Sequence, residues 1–266
     1  MKQTIPAPMQ HPSLPPAAAT AKHAAMRPAA ALAMTLAVAG LLAGCGGGGG
    51  GEAGPSIDPA QLKGRWVTAS GATPAVTAVV VPDASGTASA WLLNQDASRL
   101  VKLVVRSDSS ANGKSYALGQ GNAAGQGVTG QVSAALAASP KSISFTGVNA
   151  SALNLTQADA LSASAVQGDA TGTWSATSGG NAQTTQWTIA STGGVNGSST
   201  TGCSYAGGVT AMANTAAYSV QINESCPDGA KTTFAGIATL NASKNGLTVV
   251  LTSADETRGA AVFFSK

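Results

Sequence analysis

Residues 172–194 read GTWSATSGGNAQTTQWTIASTGG, and a shorter echo of this stretch, Gly64-Arg65-Trp66, stands 108 residues earlier. The same offset carries Val79 onto Trp187, Val81 onto Ile189 and Gly86 onto Gly194. Further along, Gly130, Ile143 and Phe145 fall on Gly236, Val249 and Leu251 at an offset of 106. Nearly constant offsets with a shared Gly-x-Trp start indicate one structural unit used twice. Between these anchors, Val101-Lys102-Leu103-Val104-Val105 pairs best with Tyr218-Ser219-Val220-Gln221-Ile222. That pairing implies a local insertion in the second copy, balanced in the first by the glycine-rich segment 119–127.

Both copies read as β structure. Short runs of Val, Thr, Ser and Ala are separated by Gly, Asn, Asp and Pro, with no long amphipathic helix between them. Alternate residues of a strand share a face. Val101, Leu103 and Val105 therefore point inward with Lys102 and Arg106 outward, and Tyr218, Val220 and Ile222 form the matching inward set. Ile143 and Phe145, and likewise Val249 and Leu251, alternate with Ser and Thr, as in an antiparallel sheet with one wet face. About seven short strands per copy predict an all-β fold: two tandem small antiparallel barrels or sandwiches, at residues 58–160 and 166–266. Asp58-Pro59 ahead of Leu62 and Gly64 predicts one capped helical turn before the first strand.

The Gly-x-Trp start, followed in the second copy by Trp187-Thr188-Ile189 and Gly193-Gly194, resembles the first hairpin of calycin-type barrels, the lipocalins and avidin-like proteins. The resemblance covers about 25 residues per copy and carries over no ligand-contacting residue. It implies a barrel able to carry a small molecule. Trp66 and Trp174 read as plugs for one end of each barrel, since large aromatics chiefly fill cores. All 11 aromatic residues are shared between the two copies, which favours narrow, filled barrels over wide cups. Trp91, Leu92 and Leu93 form either an apolar patch for a partner or part of the core of the third strand.

The first 44 residues read as an address. Lys2, Lys22 and Arg27 precede the apolar stretch from Ala29 to Ala43, which has the length of a signal h-region and is short for a membrane span. Met26-Arg27-Pro28 ahead of this stretch would alone make a compact signal, so Met26 is a candidate true start. The stretch ends in Leu42-Ala43-Gly44-Cys45, which resembles the lipobox of bacterial lipoproteins. The resemblance implies a signal peptide at 1–44, cleavage before Cys45, and diacylglyceryl and palmitate-type acylation there. It also implies anchorage in the outer membrane, because Gly46 rather than Asp follows the cysteine. Residues 45–57 then form a lipidated, glycine-rich tether that as a coil spans roughly 20 Å.

Removing residues 1–44 takes three basic side chains and no acid, so the 14 Lys+Arg and 11 Asp+Glu become 11 and 11. His11 and His23, the two histidines of the chain, go with the leader. A neutral chain without a basic stripe does not point to nucleic acid. Without histidine, Ser-His-Asp and Cys-His nucleophile systems are excluded and the commonest zinc ligand is missing. Cys203 and Cys226 remain, and in an oxidising envelope they predict a disulfide, with the strands on either side of a turn at 212–216 bringing them together. Asp255-Glu256, the single adjacent acid pair, reads as turn charge, and Asp228-Gly229 and Asp83-Ala84-Ser85-Gly86 read as hairpin turns.

The expectation is a lipid-anchored envelope protein with no catalytic residues, metal or cofactor. Its binding or structural role would be directed at an envelope or host protein or a glycan, with a calycin-like carrier as the alternative and a carboxylate-dependent envelope enzyme behind it. Cells fed a palmitate analogue should label the wild-type chain and leave Cys45→Ala unlabelled. A wild type that takes up no label would overturn the anchor.

Overall fold

The computed structural model describes residues 56–119, 124–178 and 183–266. The leader, Cys45 and residues 46–55 of the tether lie outside these. The described chain forms two closed antiparallel barrels of eight strands each, with every strand hydrogen-bonded to its neighbours in sequence. The first comprises β1 (Gly64–Thr68), β2 (Val76–Pro82), β3 (Ala88–Asn94), β4 (Arg99–Val105), β5 (Ser110–Ala117), β6 (Gln126–Ala135), β7 (Ser142–Thr146) and β8 (Leu153–Gln157). The second comprises β9 (Gly172–Ser178), β10 (Gln183–Ile189), β11 (Gly194–Ser199), β12 (Ser204–Ala211), β13 (Tyr218–Ser225), β14 (Lys231–Leu240), β15 (Gly246–Ser253) and β16 (Gly259–Ser265). The expected alternation holds: Val101, Leu103, Val105, Ile143 and Phe145 lie in the first core, and Tyr218, Val220, Ile222, Val249 and Leu251 in the second.

The structure corrects three readings. Each copy has eight strands rather than about seven. Val101–Val105 lies in the fourth strand of its barrel, whereas Tyr218–Ile222 lies in the fifth of the other, so no insertion is needed. The offset at the first hairpin is also one residue out. Trp66 pairs with Ala78 and Trp174 with Trp187, which makes Ala78 the counterpart of Trp187 and leaves Val79 on the outer face. A slip of one residue exchanges the faces of a strand.

The Gly-x-Trp unit is explained by the plug it builds. Gly64 and Gly172 have φ of +143° and +126°, a region that residues with a Cβ seldom enter, and there the chain turns from a short helical segment into the strand. The preceding segments are a 3₁₀ turn, Pro59–Leu62, capped by the Asp58 carboxylate as expected, and a four-residue α-helix, Gln167–Ala170. Each tryptophan is fully buried, and its indole donates to the carbonyl four residues back: Trp66 Nε1 to Leu62 O at 2.9 Å and Trp174 Nε1 to Ala170 O at 2.7 Å. One end of each barrel is thus closed with its buried donor satisfied.

The opposite ends differ. In the first barrel the loop after β7 folds over the opening and buries Val148 in the core. Arg99 holds it there, with Nη2 donating to Val148 O at 3.0 Å, Nη1 to Asn149 Oδ1 at 2.9 Å and Nε to Ser115 Oγ at 2.7 Å. The corresponding loop of the second barrel, between β15 and β16, turns sideways to the first barrel and sets Glu256 on Lys102. Cys203 and Cys226 form a disulfide that joins β12 and β13 at this open rim, just beyond the Ser204–Ser225 pair.

The outer faces of the two barrels pack together. Val79, Val81, Trp91, Leu93, Leu100 and Tyr116 of the first meet Ile237 and Val250 of the second, with Ala217 beside them. Because the disulfide closes a loop of 23 residues, replacing both cysteines by serine should lower unfolding free energy by about 3 kcal/mol. Urea unfolding should show this loss, and reductant should shift the wild type and leave the double variant unmoved. Equal midpoints for the two proteins would overturn it.

Candidate functional site

At the open end of the second barrel, and reaching Ala97, Leu118 and Gly119 of the first, lies a cavity of about 420 Å³. Its inner wall is apolar: Ala176, Trp187, Ile222, Phe234 and Leu251 belong to the core, and Tyr205, Ala260 and Val262 pack against it. Gln183, Thr185 and Glu224 bring polar groups to the rim. The floor is Trp187, which packs against Phe264 at 4.7 Å and Tyr205 at 6.0 Å between ring centroids. The indole fits because residue 197 is glycine; a Cβ there would come within 2.4 Å of Trp187 Cδ1. Unlike the indoles of Trp66 and Trp174, Trp187 Nε1 is buried without a partner.

The cavity also has a side opening. β16 meets β9 through a single residue pair, Ser265 with Ser175. Toward the open end the two strands part, and the cavity reaches past Thr177, Ala261 and the half-exposed Phe263. Burial raises the Tyr205 phenol above its ordinary value, and Glu224 adds to the shift. Tyr205 therefore stays protonated at neutral pH and can both donate and accept.

The residues singled out from sequence are distributed as follows. Cys45 lies outside the described residues. Cys203 and Cys226 form the disulfide; a Glu224 carboxylate oxygen lies within 4.8 Å of both sulfurs, yet these are spent on each other and offer no thiolate to a metal. Trp91, Leu92 and Leu93 are not an exposed patch. Leu92 points into the first core, while Trp91 and Leu93 are buried against the second barrel. They lie in the third strand, where Trp91 and Leu93, with Val79 of β2 beside Trp91, need apolar cover that the neighbouring barrel supplies.

Asp255 is turn charge as read. Ser253 and Thr257 donate to its carboxylate and hold it down at about 2. Glu256 does more. It reaches the first barrel, where Lys102 Nζ lies 2.7 Å from Oε1 and Lys114 Nζ 3.7 Å from Oε2, while Tyr116 Oη donates to its backbone carbonyl at 3.2 Å. Lys102 also stands 5.4 Å over the Trp91 ring. Burial, with help from Glu256 and Asp255, pushes the Tyr116 phenol up to about 12.

Sequence reasoning did not find the cavity residues Tyr205, Phe234, Glu224 and Gln183. One signal was present: Glu224 continues the inward series Tyr218, Val220, Ile222, so an acid falls on the inner face at the end of a strand. No protein family, curated protein or solved structure matches this chain.

The Glu256 carboxylate is held below its ordinary value, first by the Lys102 hydrogen bond. A depressed acid contributes stability above its unfolded pKa and loses it as pH falls through the folded value. Glu256→Gln should therefore destabilise the protein at pH 7. Because the side chain is 41% exposed, the loss should be about 1 kcal/mol or less. The difference from wild type should shrink as pH falls below about 4.5 and through the lowered folded value. A difference independent of pH in thermal melts would refute the ion-pair role.

Proposed function

We propose that this chain is a lipid-anchored protein of the bacterial outer membrane whose role is binding rather than catalysis, and that its second barrel holds a small, largely apolar molecule. The observation that carries this reading is the cavity at the open end of that barrel. Its size and its apolar wall with a few rim polar groups suit a small-molecule site. Eight-stranded up-and-down barrels are wide enough to enclose one such ligand. The first barrel, closed at both ends and packed with Trp66, Leu103 and Phe145, serves as the fixed body against which the second is set.

The lipobox-like Cys45 and the glycine tether support the envelope setting. The side chains around the cavity support holding over turnover: Glu224 is the one carboxylate among the described residues that line it, whereas acid-pair hydrolysis takes two. A ligand entering through the parted β9 and β16 strands would lie against the Trp187 ring, with Tyr205 and Gln183 available for hydrogen bonds.

The full chain in lipid nanodiscs should show saturable energy transfer from tryptophan to the neutral apolar probe 1-N-phenylnaphthylamine. Ala260→Phe, which fills the cavity, should weaken that binding by about tenfold or more. Transfer that does not saturate, or that is unchanged in a folded Ala260→Phe protein, would overturn the reading.

A further inference from the structure

A second concavity, about 170 Å³, lies between the barrels and meets the side opening of the barrel cavity at Phe263. Its apolar walls include Trp91 from the first barrel, Ile237 from the second, and Phe263, which is 49% exposed. Arg65 from β1 lines it, on the outer face beside Val79. Arg65 Nη1 donates to Leu240 O across the barrel interface at 2.6 Å, and Nε is buried without a partner. Among the described residues no carboxylate pairs with this guanidinium; the ion pairs present are those of Lys102, Lys114 and Lys244. Burial lowers its pKa, with no acid acting to raise it.

A desolvated cation without a counter-charge is costly, and the cost is recovered when an anion takes the open donors. With Nη1 committed to Leu240 and Nε enclosed, Nη2 is the donor left for an anion, where a carboxylate makes a charge-assisted hydrogen bond. Trp91 and Phe263 then offer ring faces to an apolar tail, and Gln95, exposed at the margin, offers an amide. We propose that this groove binds a small amphipathic carboxylate, its head on Arg65 and its apolar end against Trp91 and Phe263. The groove shares Phe263 with the side opening of the barrel cavity, but its cation, Arg65, lines the groove and not that cavity.

The probe is 4-phenylbutyrate, with 4-phenylbutanamide as its neutral counterpart, titrated calorimetrically into the full chain in nanodiscs. The acid should bind with about tenfold or greater preference over the amide. Arg65→Met, which keeps the aliphatic stem, should abolish that preference, and so should Gln95→Glu, an exposed substitution that places a like charge beside the head group and leaves the fold intact. An Arg65 that acts only as a strut to Leu240 would lower the melting temperature on substitution without any acid-over-amide preference in the wild type. Equal binding of acid and amide, no binding of either, or a preference that survives in Arg65→Met and Gln95→Glu would overturn the proposal. Ala260→Phe should leave the preference unchanged, which separates failure of this site from failure of the barrel cavity.

Discussion

An eight-stranded barrel abolishes its sheet edges but leaves two ends, and each end must be filled or left to water. The tryptophan that follows Gly64 or Gly172 solves one end in both copies. Its ring covers the opening, and its Nε1–H finds the carbonyl of a helical segment that the positive-φ glycine sends back over the barrel. A buried indole donor left unmade would cost about 1–3 kcal/mol, so ring, turn and glycine act as one device. The rest of the architecture depends on what happens at the second end.

There the copies diverge through the loop that precedes the last strand. In the first barrel the loop folds inward, and Val148 fills the opening while Arg99 binds the loop backbone. In the second, the equivalent turn is tight, with Glu256 at φ +53° sending its side chain away from its own barrel and onto Lys102. The same turn that leaves the second barrel open thereby clasps it to the first. The opening and the clasp are two outcomes of one loop's direction, and the disulfide between β12 and β13 ties the same rim.

What could be read in the sequence was what depends on local pattern. The repeat, the inward faces of Val101–Val105 and Tyr218–Ile222, the Asp58-capped turn and the cysteine pairing all follow from residues close in the chain or from strict alternation. The strand correspondence failed where alternation is weak. β12 reads SYAGGVTA, with two glycines and small side chains, so the best-patterned fourth strand of one copy was matched to the best-patterned fifth of the other. The role of Glu256 was hidden because Lys102 lies 154 residues away. Trp91 was ambiguous for a related reason: an outward tryptophan looks like a docking patch until the surface that covers it, here the second barrel, is known.

The duplicated unit therefore carries a division of labour that pairwise sequence matching does not expose. The inner position held by Ala78 in the first copy is Trp187 in the second. A small residue there suits a barrel filled from above by Val148. A large flat ring suits a barrel that no described loop fills from above, because it makes a floor and leaves space over it. Gly197 is the local consequence, since any side chain at that position would displace the indole. Substitutions that fill one barrel and hollow the other, on an otherwise shared scaffold, are what would be expected if one copy is kept for its rigidity and the other for what it can hold.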